Sequence, residues 1–297
     1  HKDDEPIRIG TGCNEEPNCD ASKGMEKECQ PPLVLVVEDN ADIRQYIHES
    51  LSEDYRILQA CNGKTGRDMA LEQMPDIIVS DIMMPEMDGI EMTRLLKKDI
   101  RTSHVPIILL TAKTSSNDQE EGYNSGADSY LMKPFSAKLL LSRIRNILSG
   151  RRRLAEYIVK HSTADIQERN DTADEEREET TSLLSELDRR FMEKLNKLIA
   201  DNIATENLDM AFMTDKMAMS HSTFYRKVKA LTGMSANEYI KKAKLRHSMA
   251  LLQTKKYSVT DVAQMAGFNS LGNFRESFKK EFGLMPSEVI KGTLNHN

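Results

Sequence analysis

Tryptophan is absent from the 297 residues, and aromatic residues of all kinds make up 5%. Apolar positions therefore fall mainly to aliphatic residues and methionine. No stretch approaches the roughly 18 consecutive apolar residues that a membrane-spanning helix needs. No signal-peptide pattern stands at the start. The first residue is His1, not Met, so the chain is expected to be an excerpt of something longer. The four cysteines, Cys13, Cys19, Cys29 and Cys61, lack the paired spacing of a metal site and are expected to be reduced thiols of a cytosolic protein. A net charge of -6 is too mild to name a partner.

What is present is organised. Residues 1–32 are polar and end in Pro31-Pro32, which predicts a flexible lead-in. From Leu33 onward short apolar runs alternate with helix-like stretches. The runs are 33–37, 55–58, 76–80, 106–110 and 129–132; the helices are expected near 40–52, 62–74, 89–98, 116–125 and 136–149. Near-continuous apolar strands with crossover helices predict a doubly wound, five-stranded parallel sheet covered on both faces. Asn40, Asn62 and Ser136 stand where helix N-caps are expected.

Past Arg151-Arg152-Arg153 the pattern stops, and 165–180 is rich in Asp and Glu. Residues 151–186 are read as a charged linker. From Leu187 the chain predicts only helices and short turns to residue 290, with a tail over 291–297. Charge segregates here: thirteen bases face five acids between Asp215 and Met285, an excess suited to phosphate backbones.

In a doubly wound sheet, ligands sit outside the carboxyl ends of the strands. Those ends carry Glu38-Asp39, Asp81, Thr111-Ala112 and Lys133-Pro134. Three carboxylates, a hydroxyl and an ammonium would converge on one crevice. Close carboxylates repel unless a cation joins them, and an oxygen-only donor set with room for water suits Mg²⁺. One outward carboxylate could then attack phosphorus, with the metal, lysine and hydroxyl neutralising charge.

These stretches resemble a response-regulator receiver domain. The resemblance is carried by "VLVVEDNADIR" (34–44), "DIIVSDIMMPEMDGIEM" (76–92), "VPIILLTAK" (105–113) and "GADSYLMKPF" (126–135), and covers residues 33–150. It implies a flavodoxin-like fold with Asp81 as the phosphorylated residue. It also implies a Mg²⁺ site of Glu38, Asp39, Asp81 and the Met83 main-chain carbonyl. Thr111 and Lys133 would hold the phosphoryl group, Thr111 and Tyr130 would act as the switch pair, and Lys133-Pro134 would be cis. The surface altered by phosphorylation is expected over 113–150.

Two helix-turn-helix patterns can be read in the basic half. In one, a helix carrying Met210, Phe212, Met213 and Met217 turns at "MAMS" (217–220) into "HSTFYRKVKALTG". In the other, "SVTDVAQMAGF" (258–268) turns into "NSLGNFRESFKKEFG" (269–283), and a helix from Ser235 to about Gln253 joins the two. Outward polar residues are the candidates for DNA contact. They are His221, Ser222, Thr223, Arg226 and Lys229 on the first reading helix, and Asn269, Ser270, Asn273, Arg275 and Lys279 on the second. Residues 191–288 resemble the AraC-type DNA-binding domain through "FYRKVKALTGMSANEYI" (224–240) and "VAQMAGFNSLGNFRESFKKEFGLMPSE" (262–288). One departure is Val289-Ile290-Lys291, where that family often has Tyr-Arg.

Together these imply an all-α domain over 187–290 and the C-terminal part of a hybrid two-component protein. The expected partners are double-stranded DNA, a histidine kinase domain on the same parent chain, a second copy through the receiver, and RNA polymerase. A cytoplasmic location is expected, with the parent chain anchored in the inner membrane. No enzymatic turnover of its own is expected. An aspartyl-phosphate hydrolase would need a second acid where Met83 stands. "GKTG" (63–66) is not a phosphate cradle, since Leu58 replaces the required glycine. A third reading is a DNA-binding adaptor that is never phosphorylated.

Overall fold

The computed structural model describes residues 31–112, 125–161, 184–204 and 208–292. The expected lead-in up to residue 30, residues 116–124 of the expected helix near 116–125, the acidic run 165–180 and Cys13, Cys19 and Cys29 lie outside them, as do the last residues of the tail.

Five parallel strands form one sheet in the order β2-β1-β3-β4-β5. They are β1 (Leu33–Val37), β2 (Arg56–Ala60), β3 (Ile77–Asp81), β4 (Ile107–Thr111) and β5 (Ser129–Met132). The three central strands are apolar on both faces because helices cover both. Val34, Val36, Ile77, Val79, Ile108 and Leu110 point one way, against Ile47 and Leu51 of α1 (Ala41–Leu51) and Leu140 and Ile144 of α4 (Ala137–His161). Leu35, Val37, Ile78, Ile107 and Leu109 point the other way, against Ala70 of α2 (Gly63–Gln73) and Met92 and Leu96 of α3 (Gly89–Lys98). Each large side chain so buried is worth about 1.5–3 kcal/mol. The edge strand β2 exposes Arg56 and Gln59, as its position demands.

The predicted caps are in place. Asn40 Oδ1 accepts from the Asp42 and Ile43 amides, Asn62 from Thr65, and Ser136 Oγ from Leu139. Asp88 caps α3. Gly89 is fixed by space rather than by torsion: a Cβ there would lie 2.0 Å from the Asp81 carbonyl oxygen. The start of α3 is thereby pressed onto the end of β3.

One helix runs further than its sequence suggested. The helix expected over 136–149 continues as α4 to His161, through residues read as the start of a linker. Leu154, Ala155, Ile158 and Val159 form an apolar stripe on its second half and are buried. Three arginines at 151–153 hide that stripe in the sequence. Leu154, Ile158 and Val159 belong to the core of the helical region rather than to that of the sheet.

That region contains α5 (Glu186–Asn202), α6 (Met210–Met217), α7 (His221–Thr232), α8 (Ala236–Gln253), α9 (Val259–Met265), α10 (Leu271–Phe282) and α11 (Pro286–Lys291). The first helix-turn-helix pairs α6 with α7, turning at Ala218 in the left-handed region and restarting on the Ser220 cap. The second pairs α9 with α10, turning near Gly267 and restarting on Ser270. α8 bridges them: Tyr239, Ile240 and Ala243 enter the first core, Leu245 and Leu252 the second. Val289 and Ile290 of α11 pack on the second core. Among the described residues no helix is long and apolar enough to cross a membrane.

Candidate functional site

Strand register builds the crevice. β1 pairs Val37 with Ser80, so Glu38 comes level with Asp81. β4 pairs Leu110 with Asp81, so Thr111 lies one residue further along. Thr111 in turn pairs with Met132, and the Lys133 amide donates to the Thr111 carbonyl at 2.7 Å. The Lys133–Pro134 peptide is cis.

Carboxylate oxygens of Glu38, Asp39 and Asp81 lie within 4.8 Å of one another. Glu38 is 1% and Asp81 9% exposed, while Asp39 is open to solvent. Lys133 Nζ sits 2.8 Å from Glu38 Oε2 and 3.0 Å from Asp81 Oδ2. The other Asp81 oxygen, Oδ1, accepts from the Ile82 amide at 2.8 Å. Burial raises the Glu38 pKa above its ordinary value; Lys133 opposes this and the Asp81 charge adds to it. For Lys133 burial works against the ammonium, but the two carboxylates outweigh it and hold its pKa up. A closely held, oxygen-only, electron-rich set fits a small hard cation. Met83 is 62% exposed on the loop after β3, so its side chain fills no core position. Tyr130 is half-buried, its hydroxyl 3.2 Å from Ser125 Oγ.

The helical candidates are mostly exposed: His221, Ser222, Arg226 and Lys229 on α7, and Asn269, Ser270, Asn273, Arg275 and Lys279 at and along α10. Thr223 is half-buried and accepts from Ser220 Oγ, within the cap. Ser270 and Asn273 are joined by the α10 cap, the Asn273 amide donating to Ser270 Oγ.

The count of bases needs correction at several places. Lys227 is 0% exposed and ion-paired with Asp188 of α5. It occupies the inward stripe of α7 with Phe224, Val228 and Leu231. Lys242 pairs with Glu281 at 3.1 Å, and Lys244 donates to the Gly267 carbonyl. Arg226, although exposed, donates to the Glu72 carbonyl of α2 at 2.9 Å.

Sequence reasoning missed a buried polar cluster beside this pair. Ser103 Oγ, from the loop before β4, donates to Asp188 Oδ1 at 2.7 Å and accepts from Lys227 Nζ at 3.1 Å. Lys227 also lies 5.2 Å from the centre of the Phe191 ring. Burial alone would raise Asp188, but the Lys227 charge and the hydrogen bonds hold its carboxyl below the usual range. His104, next along, is 6% exposed, and burial and Lys227 push its pKa down to about 3. Asp188 does share a helical stripe with Phe191, Met192 and Leu195, which is the one signal the sequence offered.

Comparison with known proteins agrees with this architecture. Residues 34–145 match the response regulator receiver domain, and residues 213–292 match a helix-turn-helix domain. A histidine kinase P4 from Formosa agariphila is 35% identical over 271 residues, which is 91% of this chain and 19% of that protein. The transcriptional regulatory protein AfsQ1 of Streptomyces coelicolor is 41% identical over 118 residues, 39% of this chain and 51% of its own length. This chain thus spans about a fifth of the first and about half of the second. Among solved structures, the receiver domain of a sensor histidine kinase from Pseudomonas aeruginosa, with a magnesium ion coordinated in its active-site cleft, is 30% identical. The match covers 40% of this chain and 98% of that one, with a TM-score of 0.39. Residues 34–145 of this chain are a response regulator receiver domain, and residues 213–292 are a helix-turn-helix domain of the AraC type.

Proposed function

We propose that the chain is a phosphorylation-controlled, sequence-specific DNA-binding transcription regulator of a two-component phosphorelay. The observation that carries this reading is Asp81 at the tip of a buried strand, held by Lys133 and clustered with Glu38 and Asp39, on the same chain as two helix-turn-helix units that carry exposed polar residues. One Asp81 oxygen forms the new P–O bond as the P–N bond of a phosphohistidine donor breaks, and the electron pair leaves on the imidazole nitrogen. Lys133 and Thr111 take the phosphoryl oxygens, which is mostly positioning and charge neutralisation. A Mg²⁺ held by Glu38, Asp39, Asp81 and the Met83 carbonyl would neutralise further charge. Thr111 drawn towards the phosphoryl group lets Tyr130 follow, and the local charge change biases a two-state surface.

The donor in this reading is a histidine kinase domain on the same parent polypeptide, which the likeness to a much longer histidine kinase supports. Phosphorylation pairs receivers, and two DNA-binding domains then gain avidity on repeated half-sites. Acetyl phosphate with Mg²⁺ should label the wild type and not Asp81→Asn. Footprinting at a stated salt concentration should show occupancy that rises with labelling. Equal labelling of Asp81→Asn removes the phosphoacceptor; occupancy indifferent to labelling leaves only the adaptor reading.

A further inference from the structure

α7 is a reading helix by its place in the first helix-turn-helix, yet among the described residues hydrogen bonds tie it to the receiver at Lys227 and at Arg226. Lys227 and Asp188, both from the helical region, form an ion pair with 0% and 1% side-chain exposure. The receiver's Ser103 closes over it, its hydroxyl donating to the carboxylate and accepting from the ammonium. One hydroxyl thereby uses both its donor and an acceptor position on the pair. The second point is Arg226, whose guanidinium donates to the Glu72 carbonyl in the last turn of α2. Helix C-terminal carbonyls carry partial negative charge and lack intrahelical partners, so they offer an arginine what a phosphate oxygen offers. The N–H so used is not available to a DNA phosphate at the same time, and the guanidinium is held against α2.

The energetics favour a joint that can open. Burying an ion pair costs desolvation that roughly cancels its attraction, so the pair adds little net holding energy when covered. When the receiver lifts away, Asp188 and Lys227 stay together on their own helices and regain water. The polar joint itself then weighs little between the docked and undocked forms, as a switch requires. Ser103 also sits just ahead of β4, the strand whose far end carries Thr111.

We infer that Ser103 is the receiver's latch on the first helix-turn-helix, and that its seat on the Asp188–Lys227 pair, with Glu72 on Arg226, keeps α7 from DNA until the receiver undocks. This deepens the proposed function and rests on α7 being a DNA-reading helix. Ser103→Glu sets a carboxylate against Asp188 and should open the latch without phosphorylation. Ser103→Ala removes the hydroxyl but adds no repulsion. The full chain and both variants are compared for binding to a mixed-sequence DNA duplex at fixed salt, for radius of gyration by small-angle scattering, and for cooperative melting.

Ser103→Glu is expected to enlarge the radius of gyration, to raise duplex affinity about tenfold and to steepen the salt dependence by about one phosphate contact. Ser103→Ala should move the same way by a smaller factor. A cooperatively melting Ser103→Glu with wild-type radius or wild-type affinity overturns the latch. If Ser103→Glu does not melt cooperatively, Ser103→Ala decides, and unchanged affinity overturns it. If no chain binds the duplex, the DNA-binding reading falls by itself, and the latch stands or falls on the radius alone.

Discussion

Lys133 reaches across the crevice to Glu38, Nζ to Oε2 at 2.8 Å, although 95 residues separate them in the chain. The same ammonium holds Asp81. One cation is therefore balancing two carboxylates, one of them almost fully buried.

Lys133→Met follows directly. The variant leaves Glu38 and Asp81 facing each other without a counter-charge, at a cost of about 1–3 kcal/mol. Added Mg²⁺ should restore much of it, because a ligand that binds only the folded state stabilises by mass action. Thermal melts with and without Mg²⁺ check this. The Mg²⁺-induced rise should be larger in Lys133→Met than in the wild type; no rise in either chain removes the metal site.

Gly89→Ala tests the close approach of α3 to the site strand. A Cβ would meet the Asp81 carbonyl oxygen at 2.0 Å, and backbone cannot swing aside as a side chain can. The expected loss is about 1–3 kcal/mol or more, with slower labelling by acetyl phosphate because Asp81 shifts. A urea titration and a labelling time course measure the two. Unchanged stability would mean that α3 starts further from β3 than described.

The crevice was legible in the sequence because its parts sit at strand ends, and strand ends show as apolar runs closed by Glu38-Asp39, Asp81, Thr111 and Lys133. The second helices of the two helix-turn-helix units were legible from the Phe and Val stripes behind them and the first also from its cap, Ser220, whereas Ser270, read as a candidate for DNA contact, caps α10. The second half of α4 was not, because Arg151-Arg152-Arg153 masks the stripe of Leu154, Ala155, Ile158 and Val159. Lys227 was counted as a surface base because lysine is almost never buried unless paired. Its partner Asp188 is 39 residues away and Ser103 is 124 away. No local pattern carries a pairing of that kind.

His104 makes the same region sensitive to acid. Its imidazole faces Lys227 of α7, Asp188 of α5, Arg151 of α4 and Lys97 of α3, and burial with those cations brings its pKa from 6.5 down to about 3. The native state therefore refuses a proton that the unfolded chain accepts below 6.5. The stability this group contributes is complete above pH 6.5 and is lost as pH falls towards 3. The loss is about 1.4 kcal/mol per pH unit in that window, or about 2 kcal/mol by about pH 5. Asp188 acts only lower, since its carboxyl titrates below the ordinary carboxylate range. Urea titrations near neutrality and near pH 5, on wild type and His104→Asn, isolate the effect. The variant should lose less stability on acidification by about that amount; equal losses would place a charged or solvated imidazole at 104.

Arg275 and Lys279 stand one turn apart on the exposed side of α10. Lys242 is tied to Glu281 at 3.1 Å and Lys244 to the Gly267 carbonyl at 3.0 Å. A base already paired within the protein displaces fewer counterions from DNA than a free one. Lys279→Ala should weaken binding on any duplex and lower the salt slope by about 1, as expected for a lost phosphate contact. Arg275→Ala should do at least as much, and should also relax sequence preference if its guanidinium reaches a base edge, by about 1–3 kcal/mol at that position. Lys242→Ala should change the slope far less. Binding isotherms over a range of salt concentrations, on mixed-sequence and selected duplexes, separate these outcomes. A larger slope change for Lys242→Ala than for Lys279→Ala would move the DNA-facing surface from α10 onto α8.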